Sequence, residues 1–318
     1  MLVIEDIADK VEAGQRLTVE DGRRLFQHPN LTELGILANW VRERKHPEPV
    51  VTYNVGRNIN YTNVCWVKCD FCAFYRPPGS DEGYLLSTEA IFAKIDELVA
   101  FGGAEPKSCE ILMQGGLNPK LRLDYYEELL SRIRDRYPMV QLHCLSATEI
   151  IYIAHLSRLS LAETIGRLRA AGLDSIPGAG AEILSDEVRD VIGFRKDRTD
   201  EWLEVHRVAH GLGMATTATM MYGHVETMEQ RMEHLQLLRD LQDETGGCTA
   251  FITWSFQPDE TALGGDESRW HGLKATGFDH LRTVAVSRLF LDNIDNLQAS
   301  WVTQGPKVAQ VSLRYGVN

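Results

Sequence analysis

Three cysteines, Cys65, Cys69 and Cys72, stand within one stretch of eight residues, separated first by three positions and then by two. Thiolates hold iron–sulfur clusters, and a cube of four irons usually takes four of them. The next cysteine, Cys109, comes a full secondary-structure unit later. Three thiols on one loop therefore predict a cluster with one iron left without a protein ligand. Such an open metal position is where a substrate can bind.

Other uses of cysteine fit this pattern less well. A structural zinc site needs four ligands, and no histidine falls between His46 and His143. A disulfide framework is disfavoured because there are six cysteines in 318 residues and the N-terminus lacks a signal-peptide core. The alternative from another class of protein is a non-enzymatic iron–sulfur or zinc scaffold.

Charge and hydropathy limit the kinds of partner. The chain has 33 Lys and Arg against 45 Asp and Glu, a net charge of −12. This balance argues against a nucleic-acid partner, since such binding depends on basic surface. No apolar run approaches the length that crosses a membrane. We therefore expect a cytoplasmic protein with no membrane partner, whereas an acidic balance says little about small-molecule substrates.

The first 49 residues are predicted to form a helical N-terminal extension. Thr18 is placed as the N-cap of one helix, with Asp21 at the third position of a capping box. A second helix is predicted over residues 31–44, and the prolines that follow end it.

From residue 50 onward, β-rich and helical segments alternate. Strands are predicted near 51–63, 108–113, 139–145, 172–177, 214–222, 250–257 and 298–303. Helices are predicted over 88–101, 123–136, 161–171, 199–211, 227–245, 277–293 and 306–314. This alternation indicates parallel βαβ units, and so an α/β fold with a (β/α) barrel over residues 50–318. Residues 313–318 are interpreted as the start of an eighth strand.

Polar or glycine-rich groups follow every predicted strand. They are Cys65, Gln114 to Gly116, Ser146, Gly178, Tyr222 to His224, Gln257 and Gln304. Function gathers at the carboxyl ends of the strands in such barrels, so these groups are expected to surround one site.

The cysteine run, continued by Ala-Phe-Tyr-Arg to Arg76, resembles the radical S-adenosylmethionine (SAM) superfamily. The run from Arg57 to Arg76 resembles its menaquinone and deazaflavin biosynthesis branch. Further matching blocks are Met113–Pro119, Gly178–Leu184, Thr216–Thr227 and Ala299–Gly305, the last being similar to the cyclase group of that branch. The resemblance runs from about Leu17 onward. It implies a full or partial barrel and relatives that continue past Asn318, so a C-terminal segment is expected to be missing.

The resemblance implies two cofactors, a [4Fe–4S] cluster on the three cysteines and SAM on the fourth iron. The residues expected beside SAM are Phe71, Tyr75, Gln114, Gly115, Gly116, Ser146, Glu149 and Glu182. Glycines let the backbone approach a ligand closely, and a carboxylate can hold ribose hydroxyls or an ammonium group. The structural alternatives are a core phenylalanine, a plain turn and a glutamate that faces a helix N-terminus.

Tyr222, His224 and Glu226 are the candidate catalytic residues, since a histidine can move a proton near neutral pH. A buried structural histidine is the alternative. The resemblance implies an enzyme of futalosine-dependent menaquinone biosynthesis with flavodoxin or ferredoxin as electron donor. A 5′-deoxyadenosyl radical would take a ribose hydrogen from dehypoxanthinyl futalosine, and the sugar radical would close onto its benzoate ring. Aminofutalosine synthase and the deazaflavin-forming enzyme are the alternative sister activities.

Overall fold

The computed structural model describes residues 4–102, 109–193, 195–270 and 272–318. Its seven strands form one sheet in the order β1 to β7. The strands are β1 (Val55–Asn60), β2 (Cys109–Gln114), β3 (Val140–Cys144), β4 (Ser175–Ile176), β5 (Ala215–Tyr222), β6 (Cys248–Ser255) and β7 (Asn296–Ala299). Strands β1 to β5 pair in parallel, as do β6 and β7. The predicted α/β fold is confirmed.

Helices precede, connect and follow these strands. Three come first: α1 (Glu5–Glu12), α2 (Val19–Gln27) and α3 (Leu31–Lys45). The connecting helices are α4 (Thr88–Gly102), α5 (Leu123–Arg136), α6 (Ala147–Ser157), α7 (Leu161–Ala170), α8 (Asp186–Gly193), α9 (Thr199–Gly211), α10 (Met228–Thr245) and α11 (Gly277–Phe290). The last two are α12 (Trp301–Gln304) and α13 (Pro306–Ser312). Among the residues described, no helix is both long and apolar enough to cross a membrane.

The capping box predicted at the start of α2 is confirmed. Asp21 N donates to Thr18 Oγ1 at 3.2 Å, and Thr18 N donates to Asp21 Oδ2 at 2.9 Å. Helices α2 and α3 pack on α10 and α11, and Arg239 Nη1 donates to Leu17 O at 2.8 Å. The division into an extension of residues 1–49 and a barrel of residues 50–318 stays a prediction, and residues 1–3 lie outside the described ranges.

The chain divides into two compact units. The central unit comprises Tyr53–Gly180 and Gly193–Thr216 and contains β1 to β4. The terminal unit comprises Met1–Thr52, Ala181–Ile192 and Thr217–Asn318 and contains most of β5 with β6 and β7.

The eighth strand predicted at residues 313–318 is wrong. This segment forms a turn, because Gly316 adopts a left-handed φ of 103° that breaks an extended conformation. The buried guanidinium of Arg288 fixes the turn: its Nε donates to Gly316 O at 2.7 Å and its Nη2 to Asn318 Oδ1 at 2.6 Å.

Four of the buried histidines in the described part of the chain have strongly lowered pKa values. His143 and His206 lie in the central unit, and His234 and His280 lie in the terminal unit. Burial lowers the pKa of His143 and His280 to about 4 and that of His206 and His234 to about 3. All four imidazoles are therefore neutral near pH 7, because a charged ring would lose its hydration.

Candidate active site

The three predicted cluster ligands lie on the loop after β1, in the central unit. The base of this loop is closed by two hydrogen bonds, from Cys65 N to Arg76 O at 2.9 Å and from Arg76 N to Asn63 O at 2.7 Å. Cys72 N donates to Cys69 O at 3.1 Å, which turns the chain between the second and third thiols. All three cysteines are partly exposed, so the loop keeps its sulfurs open to an incoming ligand.

The donor set fits a [4Fe–4S] cluster, since three soft thiolates on one short loop are the ligands such clusters take. All six cysteines lie within the described residues, and none forms a disulfide. In that part of the chain, no three Cys, His, Asp or Glu side chains already form a metal site.

Aromatic rings support the cluster loop. Trp66 stacks on Tyr152 of α6, with ring centroids 5.7 Å apart, and the Arg195 guanidinium lies 5.8 Å from the Trp66 ring centroid. Phe71 and Tyr75 are half-buried on the same loop. Burial and the neighbouring acidic groups raise the pKa of Tyr75. Contact of Phe71 and Tyr75 with SAM stays a prediction.

The glycine-rich segment after β2 is seated directly on the cluster loop. Gly116 N donates to Thr62 O at 2.9 Å, and Gly115 N donates to Glu149 Oε1 at 3.0 Å. A Cβ atom on Gly116 would stand 2.4 Å from Val64 O, a separation that no side chain tolerates. Glycine is required here because two backbones approach closely, so the segment is more than a plain turn.

Gln114, which ends β2, carries a buried donor. Its Nε2 atom has no hydrogen-bond partner anywhere in the described structure. A buried amide left unsatisfied is costly, and in native proteins such atoms are usually met by water or a ligand. The arrangement fits a polar cofactor beside the cluster loop, and its assignment to SAM stays a prediction.

Ser146 and Glu149 form a capping box at the N-terminus of α6. Glu149 is 2% exposed, and its Oε2 accepts Ser146 N at 2.8 Å and Ser146 Oγ at 2.7 Å. Burial raises the pKa of Glu149 against the opposing effect of its hydrogen bonds. Both residues were predicted to contact SAM; that stays a prediction, and the structure turns their polar atoms toward groups of the chain itself.

Glu182 lies in the terminal unit, after the small residues of the Pro-Gly-Ala-Gly-Ala segment. It is buried and takes a left-handed φ of 40°, a conformation that glutamate rarely adopts. Met221 N donates to Glu182 O at 2.9 Å, and Arg189 Nη1 donates to Ala181 O at 2.8 Å, which fixes the segment. Backbone strain of this kind gathers at ligand sites, which is consistent with the predicted role of Glu182 at SAM.

Glu226 organises the turn that follows β5. Its fully buried carboxylate accepts Gly223 N at 2.6 Å, His224 N at 2.9 Å and Arg231 Nε at 2.7 Å. Burial alone would raise the pKa of Glu226, but His224, Arg231 and the two backbone N–H groups outweigh it and lower that pKa. The carboxylate is therefore held ionised by the turn it stabilises.

His224 and Tyr222 are both buried and make separate polar contacts. His224 Nε2 lies 3.0 Å from Met221 O and so carries a hydrogen, while its Nδ1 lies 3.3 Å from Glu226 Oε2. The Tyr222 hydroxyl lies 3.2 Å from His280 Nδ1, and burial raises the pKa of Tyr222. Catalysis by these residues stays a prediction; their contacts give them a structural task in the terminal unit.

Sequence reasoning did not single out two groups of the central unit. Tyr61, the residue after β1, donates from its hydroxyl to Glu149 Oε1 at 2.9 Å; its place at a strand end was the available signal. Lys196 Nζ lies 3.1 Å from Thr148 Oγ1, which donates to Asp197 Oδ1 at 2.7 Å. No spacing or periodicity marked this second group.

Residues 59–238 match the Radical SAM superfamily, and residues 245–318 match the CofH/MqnC C-terminal region. The chain belongs to the radical SAM superfamily, as its cysteine spacing predicted. It is therefore an enzyme that uses a [4Fe–4S] cluster and SAM.

Curated relatives indicate which members of the radical SAM superfamily the chain resembles. The chain is 45% identical to cyclic dehypoxanthine futalosine synthase of Halalkalibacterium halodurans, over 99% of this chain and 82% of that protein. It is 41% identical to the synthase of the same name from Streptomyces coelicolor, over 99% and 77%. It is 43% identical to aminodeoxyfutalosine synthase of Thermus thermophilus, over 98% and 82%.

Solved structures share the fold at low identity. Methylornithine synthase (PylB) has a TM-score of 0.70 at 19% identity, over 98% of this chain and 84% of that one. The FeFe-hydrogenase maturase HydG of Carboxydothermus hydrogenoformans has a TM-score of 0.75 at 17% identity, over 99% and 69%. These likenesses support the α/β fold found here.

Proposed function

We propose that the chain makes cyclic dehypoxanthinyl futalosine from dehypoxanthinyl futalosine, a step of menaquinone biosynthesis by the futalosine pathway. The observation that carries this proposal is the 45% identity to cyclic dehypoxanthine futalosine synthase across 99% of the chain. The block Ala299–Gly305 fits the same assignment, because its sequence resembles the cyclase group.

When bound, the cluster and SAM supply a 5′-deoxyadenosyl radical, so the radical chemistry comes from the cofactors and not from the side chains of the protein. The protein has to hold the substrate ribose within reach and keep water away. In our proposal the ribose loses its C4′ hydrogen, and the sugar radical closes onto the benzoate ring. Loss of one electron, which the oxidised cluster would take back, and of one proton to solvent would then restore aromaticity and leave a spirocyclic product.

The ends of β6 and β7 offer polar groups for the substrate in the terminal unit. Gln304 Nε2 donates to Ser255 Oγ at 2.8 Å, and Gln257 Nε2 donates to Ser255 O and Oγ at 3.1 Å. Gln304 belongs to the short helix α12, so the strand predicted over residues 298–303 ends instead at Ala299. Amide and hydroxyl groups of this kind suit the hydroxyls of a ribose.

Two sister reactions are the competing candidates, because relatives named for them are also similar. Aminodeoxyfutalosine synthase of Thermus thermophilus is 43% identical, and the 5-amino-6-(D-ribitylamino)uracil–L-tyrosine 4-hydroxyphenyl transferase of Methanosarcina barkeri is 40% identical. In the first of these alternatives the adenosyl group would end inside the product. In the cyclase it leaves as 5′-deoxyadenosine.

One labelling experiment separates these reactions. Purified, anaerobically reconstituted enzyme receives SAM and dehypoxanthinyl futalosine with deuterium at the ribose C4′. We expect the deuterium in 5′-deoxyadenosine and a cyclised product that contains no adenosyl group. Covalent capture of the adenosyl group, with little free 5′-deoxyadenosine, would refute the cyclase assignment.

The proposal includes a compartment and an electron donor. Thiolate ligands and a reduced cluster need a reducing compartment, so we place the reaction in the cytoplasm. Flavodoxin or ferredoxin is the proposed one-electron donor. The net charge of −12 is the reason that nucleic acid is not among the proposed partners.

A further inference from the structure

A single carboxylate joins three strand ends of the central unit. Glu149 Oε1 accepts Gly115 N, after β2, at 3.0 Å and the hydroxyl of Tyr61, after β1, at 2.9 Å. Its Oε2 accepts Ser146 N and Oγ, after β3, at 2.8 and 2.7 Å. No other contact recorded in the described structure links the ends of β1, β2 and β3 through one side chain.

Burying the Glu149 carboxylate costs free energy that only its hydrogen bonds offset. Glu149 is 2% exposed, and the described structure gives it no cationic partner within ion-pair distance. A buried carboxylate without a counter-charge is expensive unless hydrogen bonds satisfy it, and here four donors do. Two of these donors are backbone N–H groups, which cannot turn toward another acceptor.

A second capping box in the same unit shows what capping alone requires. Ser160 and Glu163 begin α7, where Glu163 Oε2 accepts Ser160 N at 3.0 Å and Ser160 Oγ at 2.7 Å. Glu163 is exposed. Capping thus needs one oxygen of a surface glutamate, whereas Glu149 is buried and uses its other oxygen on the glycine loop.

We propose that Glu149 is a positioning residue that holds the Gln114–Gly116 loop in its SAM-binding shape through the amide of Gly115. This inference rests on the proposed assignment of that loop to SAM, and it holds for any of the three sister reactions. In this role Glu149 acts on the amide of the loop, and a contact with the cofactor is not required. The contribution of Tyr61 is to steady the Oε1 atom that Gly115 uses.

The test compares Glu149→Gln with the matched control Glu163→Gln, in anaerobically reconstituted full-length protein. A glutamine offers one oxygen, so either Gly115 N or Ser146 N must face an NH2 group. We expect Glu149→Gln to weaken SAM binding by about tenfold, since a buried N–H loses its acceptor, with iron content unchanged. Hydrogen exchange of the 113–118 peptide should rise without SAM. Glu163→Gln should change neither quantity.

Tyr61→Phe is a milder second variant, should Glu149→Gln fold poorly. It keeps both carboxylate oxygens of Glu149, which accept the backbone N–H groups of Gly115 and Ser146. We therefore expect a weaker change of the same sign in SAM affinity and in hydrogen exchange of residues 113–118. Tyr126→Phe is its control, because the Tyr126 hydroxyl lies 3.1 Å from that of Tyr61. Tyr126→Phe removes this neighbouring hydroxyl but keeps the hydrogen bond from Tyr61 to Glu149, so it should affect the glycine loop less than Tyr61→Phe does.

The outcomes separate this inference from the assignment of the loop. If SAM slows exchange of residues 113–118 in the unmodified protein but Glu149→Gln binds SAM normally, the positioning role is wrong and the loop assignment stands. If SAM does not protect that peptide at all, both are wrong. Equal losses of SAM affinity in Glu149→Gln and Glu163→Gln would reduce Glu149 to an ordinary helix cap.

Discussion

Replacing Gly116 by alanine tests whether the position of the glycine loop, Gln114–Gly116, determines the position of the loop that carries the cluster cysteines. The added Cβ would stand 2.4 Å from Val64 O, 2.7 Å from Val64 C and 2.9 Å from Cys65 Cβ. Two of these three atoms belong to the backbone, so no rotamer change relieves the overlap. The backbone that carries the first cluster ligand has to move.

The size of the effect follows from these distances. Carbon contacts settle at about 3.5–4.0 Å, so the two loops must separate by about 1 Å. Overpacking of this kind costs about 1–3 kcal/mol in the free energy of unfolding. We expect Gly116→Ala to lower that free energy by this amount and to lose most of its iron, because Cys65 is displaced from the other two thiols.

The assay is iron content after anaerobic reconstitution, together with urea unfolding of the unloaded protein. Gly166→Ala is the matched control in the same unit, since Gly166 lies inside α7 with nothing within 4 Å of its added Cβ. It should keep its iron and gain about 0.5–1 kcal/mol in stability. Full iron loading of Gly116→Ala would refute the coupling of the two loops.

Three further predictions concern ligands and pH. The first replaces Cys65, Cys69 or Cys72 by alanine, which should abolish iron loading and the spectral response to SAM, because each residue supplies a thiolate. Protein purified without oxygen that holds zinc and no iron would contradict the cluster assignment. Glu182→Gln should weaken SAM binding by about 1.5–3 kcal/mol with iron intact, as measured by equilibrium dialysis, and unchanged affinity would place Glu182 elsewhere. The third concerns the buried His143, His206, His234 and His280, whose pKa values in the folded protein are about 3 to 4, below the ordinary 6.5. Their contribution to stability is therefore complete above pH 6.5 and is lost as the pH falls toward 4. At pH 5 they should take up about four protons on unfolding, so chemical denaturation at pH 7, 6 and 5 should show a steep loss of stability; a flat profile would show that these rings are not buried and neutral.

Spacing and capping predicted most of the fold. The Thr18–Asp21 capping box and the seven strands follow from patterns within a few residues, and the structure confirms them. Cys109 and Cys144, in β2 and β3, are buried. The eighth strand failed because Gly316 takes a left-handed backbone that apolar alternation does not reveal.

The site was predictable in residue type but not in contacts. Sequence placed Ser146 and Glu149 at a strand end and left open whether they face SAM or a helix terminus. A capping pattern does not reveal that the second oxygen of Glu149 reaches Gly115, thirty-four residues away. The role of Tyr61 depends on the same long-range contact, so no local signal could assign it.

The packing of the N-terminal helices on α10 and α11 has a consequence for the time course of folding. Leu17 O accepts a hydrogen bond from Arg239, which lies 222 residues later in the chain. Lys45 Nζ donates to Asp292 O, which lies 247 residues later. Closing loops of this length costs about 5 kcal/mol of chain entropy before any contact forms. Folding of the terminal unit should therefore be slow compared with that of units built from local contacts.

During synthesis the delay is set by the ribosome. At about 5–20 residues per second, Leu17 emerges roughly 10–40 s before Arg239 exists. Throughout that interval the apolar faces of α2 and α3 have no partner from α10 or α11. These two helices are thus made well before the helices that cover them, and chaperones have a defined period in which to protect their apolar faces.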